Sequence, residues 1–127
     1  MVQQLILDRH ITNFPAAANK AKARAQLKKT NLEWTVFHNG FFMDYWGLPG
    51  VKSHMTPFTL FIDMANNAAG IPGSGNVPVA FTHTTDVAKY VVTILDSPKW
   101  DETTTVIGDK VTWNEFVRLA EEIKGEF

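Results

Sequence analysis

A chain of 127 residues has the length of one domain and can bury roughly two-thirds of the surface that its unfolded form exposes, enough for a single core. Apolar residues at 45%, charged residues at 20% and aromatic residues at 12% exclude a disordered or low-complexity chain, and a net charge of −1 provides no field to draw in nucleic acid or an anionic membrane. Cysteine is absent, which excludes disulfides, thiolate metal sites and thiol nucleophiles within this sequence and leaves the redox compartment unconstrained.

The opening MVQQLILDRH has no basic n-region and an apolar run of only three residues, so it does not read as a signal peptide. No apolar run is long enough to span a bilayer, and a cytoplasmic location with no membrane partner is the default expectation. NFPAAANKAKARAQLKKTN is rich in helix formers, with Asn13 and Pro15 at its start and Thr30–Asn31 at its stop. Lys20, Arg24 and Lys28 fall at i, i+4 and i+8 as one basic ridge. That ridge is either a solvated face opposite alanines packed on a sheet or, for Lys20, an approach to a ligand.

LEWTVF (32–37) predicts a strand, with Trp34 and Val36 alternating on one core face. Gly40 allows a turn that points part of FFMDYW into a cleft. After a linker with Pro49, Gly50 and Ser53, TPFTLFIDMANNAAG predicts an amphipathic helix. Thr56 caps it, Pro57 takes its first position, Gly70 follows its end, and Phe58, Phe61, Ile62, Ala65 and Ala69 share one face. The glycines of GIPGSGNVP follow a helix and precede a strand, the reverse of a phosphate loop, so this stretch reads as a connecting turn.

VAFT (79–82) predicts a second strand. THTTDVAKYVVTILDSP then predicts a helix capped by Thr84 or Thr85, with Asp86 in its first turn, Val87, Val91, Val92 and Leu95 facing inward, and Pro98 as its stop. TTTVI (103–107) is a third strand and Gly108–Asp109 a turn. The last helix, TWNEFVRLAEEIKG, carries a capping box between Thr112 and Glu115, Gly125 after its end, and a buried stripe of Trp113, Phe116, Val117, Ala120 and Ile123. Alternating helices and strands predict α/β layering.

Taken together, LEWTVFHNGFFMDY, PVAFTHTTDVAKYVV and VTWNEFVRLAEEIKG resemble the later half of the NmrA-like and isoflavone-reductase-like proteins, which are atypical short-chain dehydrogenase/reductases; the resemblance runs from about residue 14 to the end. It implies a partial Rossmann-like sheet with flanking helices, lacking the first dinucleotide-binding βαβ units, with residues 1–127 as one truncated domain. In that family the sheet binds NAD(P)H, and the later half closes over a small, often aromatic substrate. The resemblance also places Lys20 at the position of a family lysine, Asn39 at that of an asparagine near the nicotinamide, and the segment from Thr56 at the substrate-side cover.

The family's G-x-x-G-x-x-G fingerprint has no counterpart here. Neither tyrosine begins a Tyr-x-x-x-Lys pair, since Pro49 stands four residues after Tyr45 and Ile94 four after Tyr90. No nicotinamide cofactor is therefore expected in the chain by itself, and NAD(P)H only where a missing half is supplied. A half sheet leaves edges and apolar faces bare, so a homodimer or another assembly is expected to cover them.

The candidate catalytic groups are Lys20, His38, Asp44, Tyr45 and His83, which burial can tune toward acid/base work. The candidate substrate contacts are Asn39, Phe41, Phe42, Trp46, His54, Phe58 and Phe61. A histidine at a strand end also has a purely structural reading, and Asp86 reads as a first-turn helix acid. His83 and Asp86 have no third ligand at helical or hairpin spacing, so no metal is expected. Three functions remain open: an isomerase, cyclase or dehydratase working by acid/base chemistry on a small aromatic or polycyclic metabolite; an NAD(P)H-dependent reductase completed by a partner or a longer chain; and a non-catalytic regulatory or binding module.

Overall fold

The structure is a computed structural model in which residues 15–125 are described. Asn13 and the opening ten residues, read above as a helix cap and as lacking a signal peptide, lie outside them. The chain divides between Trp34 and Thr35 into two compact units, each described by itself. The first unit holds α1 (Pro15–Leu27), which ends where the Thr30 hydroxyl donates to the Leu27 carbonyl at 2.7 Å. Lys20 is exposed on it, as are Ala21, Ala23 and Ala25, while Ala17 and Ala18 are half-buried.

The second unit is α/β, with small mixed sheets and flanking helices. Its first strand, β1 (Val36–His38), starts later than LEWTVF suggests, because the strand is defined by its neighbour: it lies parallel to β6 (Thr103–Thr105), Val36 opposite Thr103 and His38 opposite Thr105. The chain then changes sheets. Gly40 takes a left-handed φ of 67°, and a Cβ there would lie 2.0 Å from the Ala80 carbonyl oxygen, so the bend requires glycine on both counts. Beyond it β2 (Phe41–Phe42) pairs in parallel with β5 (Val79–Thr82), which pairs antiparallel with β7 (Asp109–Val111), a strand placed where the sequence reads a turn.

Residues 56–70 do not form the expected helix. They fold into a hairpin, β3 (Ile62–Asp63) against β4 (Ala68–Ala69), with Ile62 facing Ala69. The competitor is local. The Asp63 carboxylate accepts from the backbone N–H of Ala65 at 3.0 Å and of Asn66 at 3.1 Å, and from the Asn66 side chain at 2.8 Å, while Asn67 turns the chain with φ 51°. Phe61 is itself held at φ 59°, outside any helix. Of the expected helix face only Ile62 is buried, at 1% exposure; Phe58, Ala65 and Ala69 are exposed.

Two helices follow the sequence closely at their ends. α3 (Thr84–Leu95) stops ahead of Pro98, but its cap is His83 rather than Thr84 or Thr85. Val87 and Val91 are half-buried as expected, whereas Val92 and Leu95 are 63% and 59% exposed. α4 (Trp113–Lys124) has the expected capping box between Thr112 and Glu115 and ends at Gly125 with φ 83°. Its stripe buries Trp113 and Ala120 and packs Phe116 and Val117, but Ile123 is 73% exposed.

The core gathers Ile62, Phe81 and Trp113, with Phe41, Trp46, Phe116 and Val117 packed around them. Edge-on ring contacts dominate, among them Phe81–Trp113 at 5.3 Å and Trp46–Phe116 at 5.2 Å between centroids. This aromatic wedge fixes β2, β5 and the start of α4 around the ends of the two parallel strands.

Candidate functional site

Asp44 opens α2 (Asp44–Gly47), a single turn directly after β2, and is 1% exposed. Its carboxylate accepts from the Thr84 backbone N–H at 2.9 Å, from the Thr84 hydroxyl at 2.5 Å and from the Ser53 hydroxyl. It thereby joins three segments: the turn after β2, the linker at Ser53 and the first turn of α3, where the helix end favours a negative charge. Burial pushes the carboxyl pKa up, but the hydrogen bonds from Ser53 and Thr84 together outweigh it and hold the group down at about 2.

His83 stands beside it. Its Nδ1 accepts from the Thr85 backbone N–H at 3.2 Å and lies 2.8 Å from the Thr85 hydroxyl. With Nδ1 accepting, the proton of the neutral ring belongs on Nε2. That Nε2 is buried with no hydrogen-bond partner and lies 3.7 Å from the Asp44 carboxylate. The imidazole is thus fixed in orientation and tautomer against an ionised carboxylate. Behind the pair, Thr82 is fully buried; its hydroxyl donates to the Asn39 carbonyl at 2.8 Å and accepts from the Gly108 N–H at 3.2 Å, pinning both bends of the chain.

Among the residues singled out from the sequence, Asp44 and His83 are brought together, and Tyr45 stands next to Asp44. Tyr45 forms an outer aromatic ledge with Phe42 and Phe58, at 6.3 and 5.8 Å between ring centroids. Phe41 and Trp46 are part of the core instead, and Phe61 packs on Trp113 at 5.1 Å. Asn39 is half-buried, its side chain donating to the Gly40 carbonyl at 3.2 Å. His38 and His54 are exposed, and Lys20 belongs to the first unit. The sequence reading omitted Ser53 as a ligand of Asp44, and also Thr82 and Thr85. Only the hydroxyl-rich run THTT hinted at them, and it reads equally as a helix start.

The expected pocket between the end of β1 and a helix from Thr56 has no helix to close it. A groove of about 320 Å³ lies elsewhere, between α3 and the loop before β7, lined by Asp86, Lys89, Tyr90, Thr93, Ile107 and Gly108. Among the described residues no three metal-ligating side chains cluster, and no helix is long and apolar enough to cross a membrane.

At the glycine-rich turn the residues present do not fit the pyrophosphate of the NAD(P)H that the family resemblance implies. The glycine-rich turn does meet the start of α4, yet it presents a carbonyl there: Gly75 O accepts from the Asn114 N–H at 3.2 Å, and the Asn114 side chain donates to Ser74 O at 3.0 Å. A Cβ on Gly75 would lie 2.4 Å from that Asn114 side chain. Its missing side chain makes room for its own helix, and no row of N–H groups is left for a phosphate.

With fold and site in view, the class of protein that this chain is similar to is the oxidoreductases. It is 39% identical over 119 residues to Oxidoreductase BOA1 of Botryotinia fuckeliana, a match covering 94% of this chain and 40% of that protein. Oxidoreductase swnR of Metarhizium robertsii is 35% identical over 96 residues, 72% of this chain and 31% of that protein. Oxidoreductase swnN of the same organism is 28% identical over 120 residues, 91% of this chain and 34% of that protein. The chain therefore spans two fifths or less of these relatives' length. No family model and no solved structure matches it.

Proposed function

We propose that this chain is the substrate-facing portion of an oxidoreductase acting on a small, aromatic or polycyclic metabolite, with any NAD(P)H held by polypeptide other than the residues described. The likeness to Oxidoreductase BOA1 over 94% of this chain carries the reading. The ledge of Phe42, Tyr45 and Phe58 supports the substrate class, because flat apolar molecules gain most from edge and face contacts with rings. In this reading Asp44 and His83 hold the strand ends in place and keep a proton next to them.

The test is a chimera in which this chain replaces the matched portion of Oxidoreductase BOA1, assayed by NADPH oxidation with a panel of small aromatic ketones and enones. Turnover within about tenfold of the parent is expected, a loss of no more than one step of about 1.4 kcal/mol. A folded chimera with no turnover, beside a parent that turns over, overturns the reading.

A second reading is favoured by one observation, the tautomer-fixed His83 against ionised Asp44, which needs no redox carrier. It makes the protein an isomerase, cyclase or dehydratase in which the His83 ring leaves its Thr85 contact to bring Nδ1 to the substrate for proton transfer, and Asp44 positions the ring. Under this reading the 127-residue chain converts an enolisable aromatic substrate without NAD(P)H, and His83→Gln lowers that rate by roughly a hundredfold or more. Turnover indifferent to His83→Gln would remove the pair from the chemistry.

A further inference from the structure

The apolar arc of α3 is wider than what this chain buries. Val87, Val91 and Ile94 turn toward the rest of the unit, while Ala88, Val92 and Leu95, at i, i+4 and i+7, form a second apolar stripe that is exposed. Val92 and Leu95 keep 63% and 59% of their surface in water, and none of the twelve residues of the helix is buried. The polar side chains Asp86, Lys89 and Thr93 lie on a different face, where they line the groove. A helix apolar over so much of its circumference is characteristic of one packed on two sides.

We propose that the Ala88–Val92–Leu95 stripe is an interaction surface for the polypeptide that corresponds to the unmatched portion of the oxidoreductases above, packing as one apolar helix face on another. The inference rests on the oxidoreductase reading and names its partner. The occupant follows from length: the match takes in 94% of this chain but 40% of Oxidoreductase BOA1, so in the relative this segment belongs to a polypeptide more than twice as long, whose remainder can supply the second side. Aliphatic side chains without charge ask for an aliphatic partner, and a stripe of three such residues is a core position in waiting.

The sequence has no cysteine, so Leu95→Cys gives one thiol as a probe. The substituted position is placed in the 127-residue chain and in the chimera described above, and its labelling by a maleimide is followed by peptide mass spectrometry. Fast labelling in the isolated chain and labelling slowed about tenfold or more in the chimera are expected. Equal rates in a folded chimera overturn the proposal, as does a chimera that fails to fold while the isolated chain folds, since the surface then does not fit that portion. A dimer of the isolated chain by light scattering that Val92→Asp dissolves also overturns it, because a second copy is then the occupant. Protection of the thiol without NADPH turnover leaves the surface standing and defeats the functional reading; turnover without protection does the reverse.

Discussion

Asp44 shows how one buried charge is made tolerable and what it then controls. Three donors from Ser53 and Thr84 hold it ionised, with a pKa lowered from 3.8 to about 2. The unfolded chain therefore binds the proton more readily than the folded one, so this contribution to stability is complete above the unfolded value and is lost as pH falls toward 2. A shift of this size corresponds to about 2 kcal/mol. Asp44→Asn is expected to cost roughly 2–3 kcal/mol at neutral pH, since two hydroxyls and a backbone N–H lose a charged acceptor in a dry site. Urea denaturation should further show the variant with a flatter stability profile than the parent between pH 4 and pH 2; parallel profiles would remove Asp44 from the acid sensitivity. Asp44 and His83 were visible in the sequence as proton-handling types. Their pairing was not, because it depends on the bond from Thr84 to Asp44 across 40 residues, and no periodicity links the two segments.

At the scale of elements, termini were legible and the region between Thr56 and Gly70 was not. Capping boxes and glycine stops are local chemistry, so α4 begins at Thr112 and ends at Gly125 as its sequence says. Thr112→Ala removes the acceptor of the Glu115 N–H and is expected to cost about 1 kcal/mol, seen as a lower thermal midpoint with an unchanged fold by circular dichroism. The apolar spacing from Phe58 to Ala69 counted as helical, yet Asp63 and the two asparagines close a turn with i+2 and i+3 bonds that the interior of a helix, whose N–H groups bond carbonyls four residues back, cannot use. Once the turn forms, Ile62 alone reaches the core. Gly40 is the counterpart case, where the expected turn glycine proves to be required by a neighbour as well. Gly40→Ala is expected to destabilise by more than about 2 kcal/mol, because strain at positive φ adds to a clash with the Ala80 carbonyl. A chemical denaturation midpoint equal to the parent's would mean that β2 and β5 separate readily.

At the scale of the whole molecule, the glycine-rich turn that closes on Asn114 leads to a prediction about cofactors. The 127-residue chain is expected to show no saturable NADPH binding in the micromolar range by fluorescence titration, while the chimera with the remainder of Oxidoreductase BOA1 binds it. Saturable binding by this chain alone would overturn that expectation. The sequence by itself determined the α/β class, both ends of α4, the glycine bend at 40 and the absence of cysteine, because each rests on spacing or residue type within one turn or strand. The tertiary structure alone decided which strand meets which, that Phe41 and Trp46 belong to the core, and that Asp44, Ser53, Thr84 and His83 share one buried site. Those outcomes depend on the packing of side chains that are dozens of residues apart, and the free energy of such packing is not written in any local window of the chain.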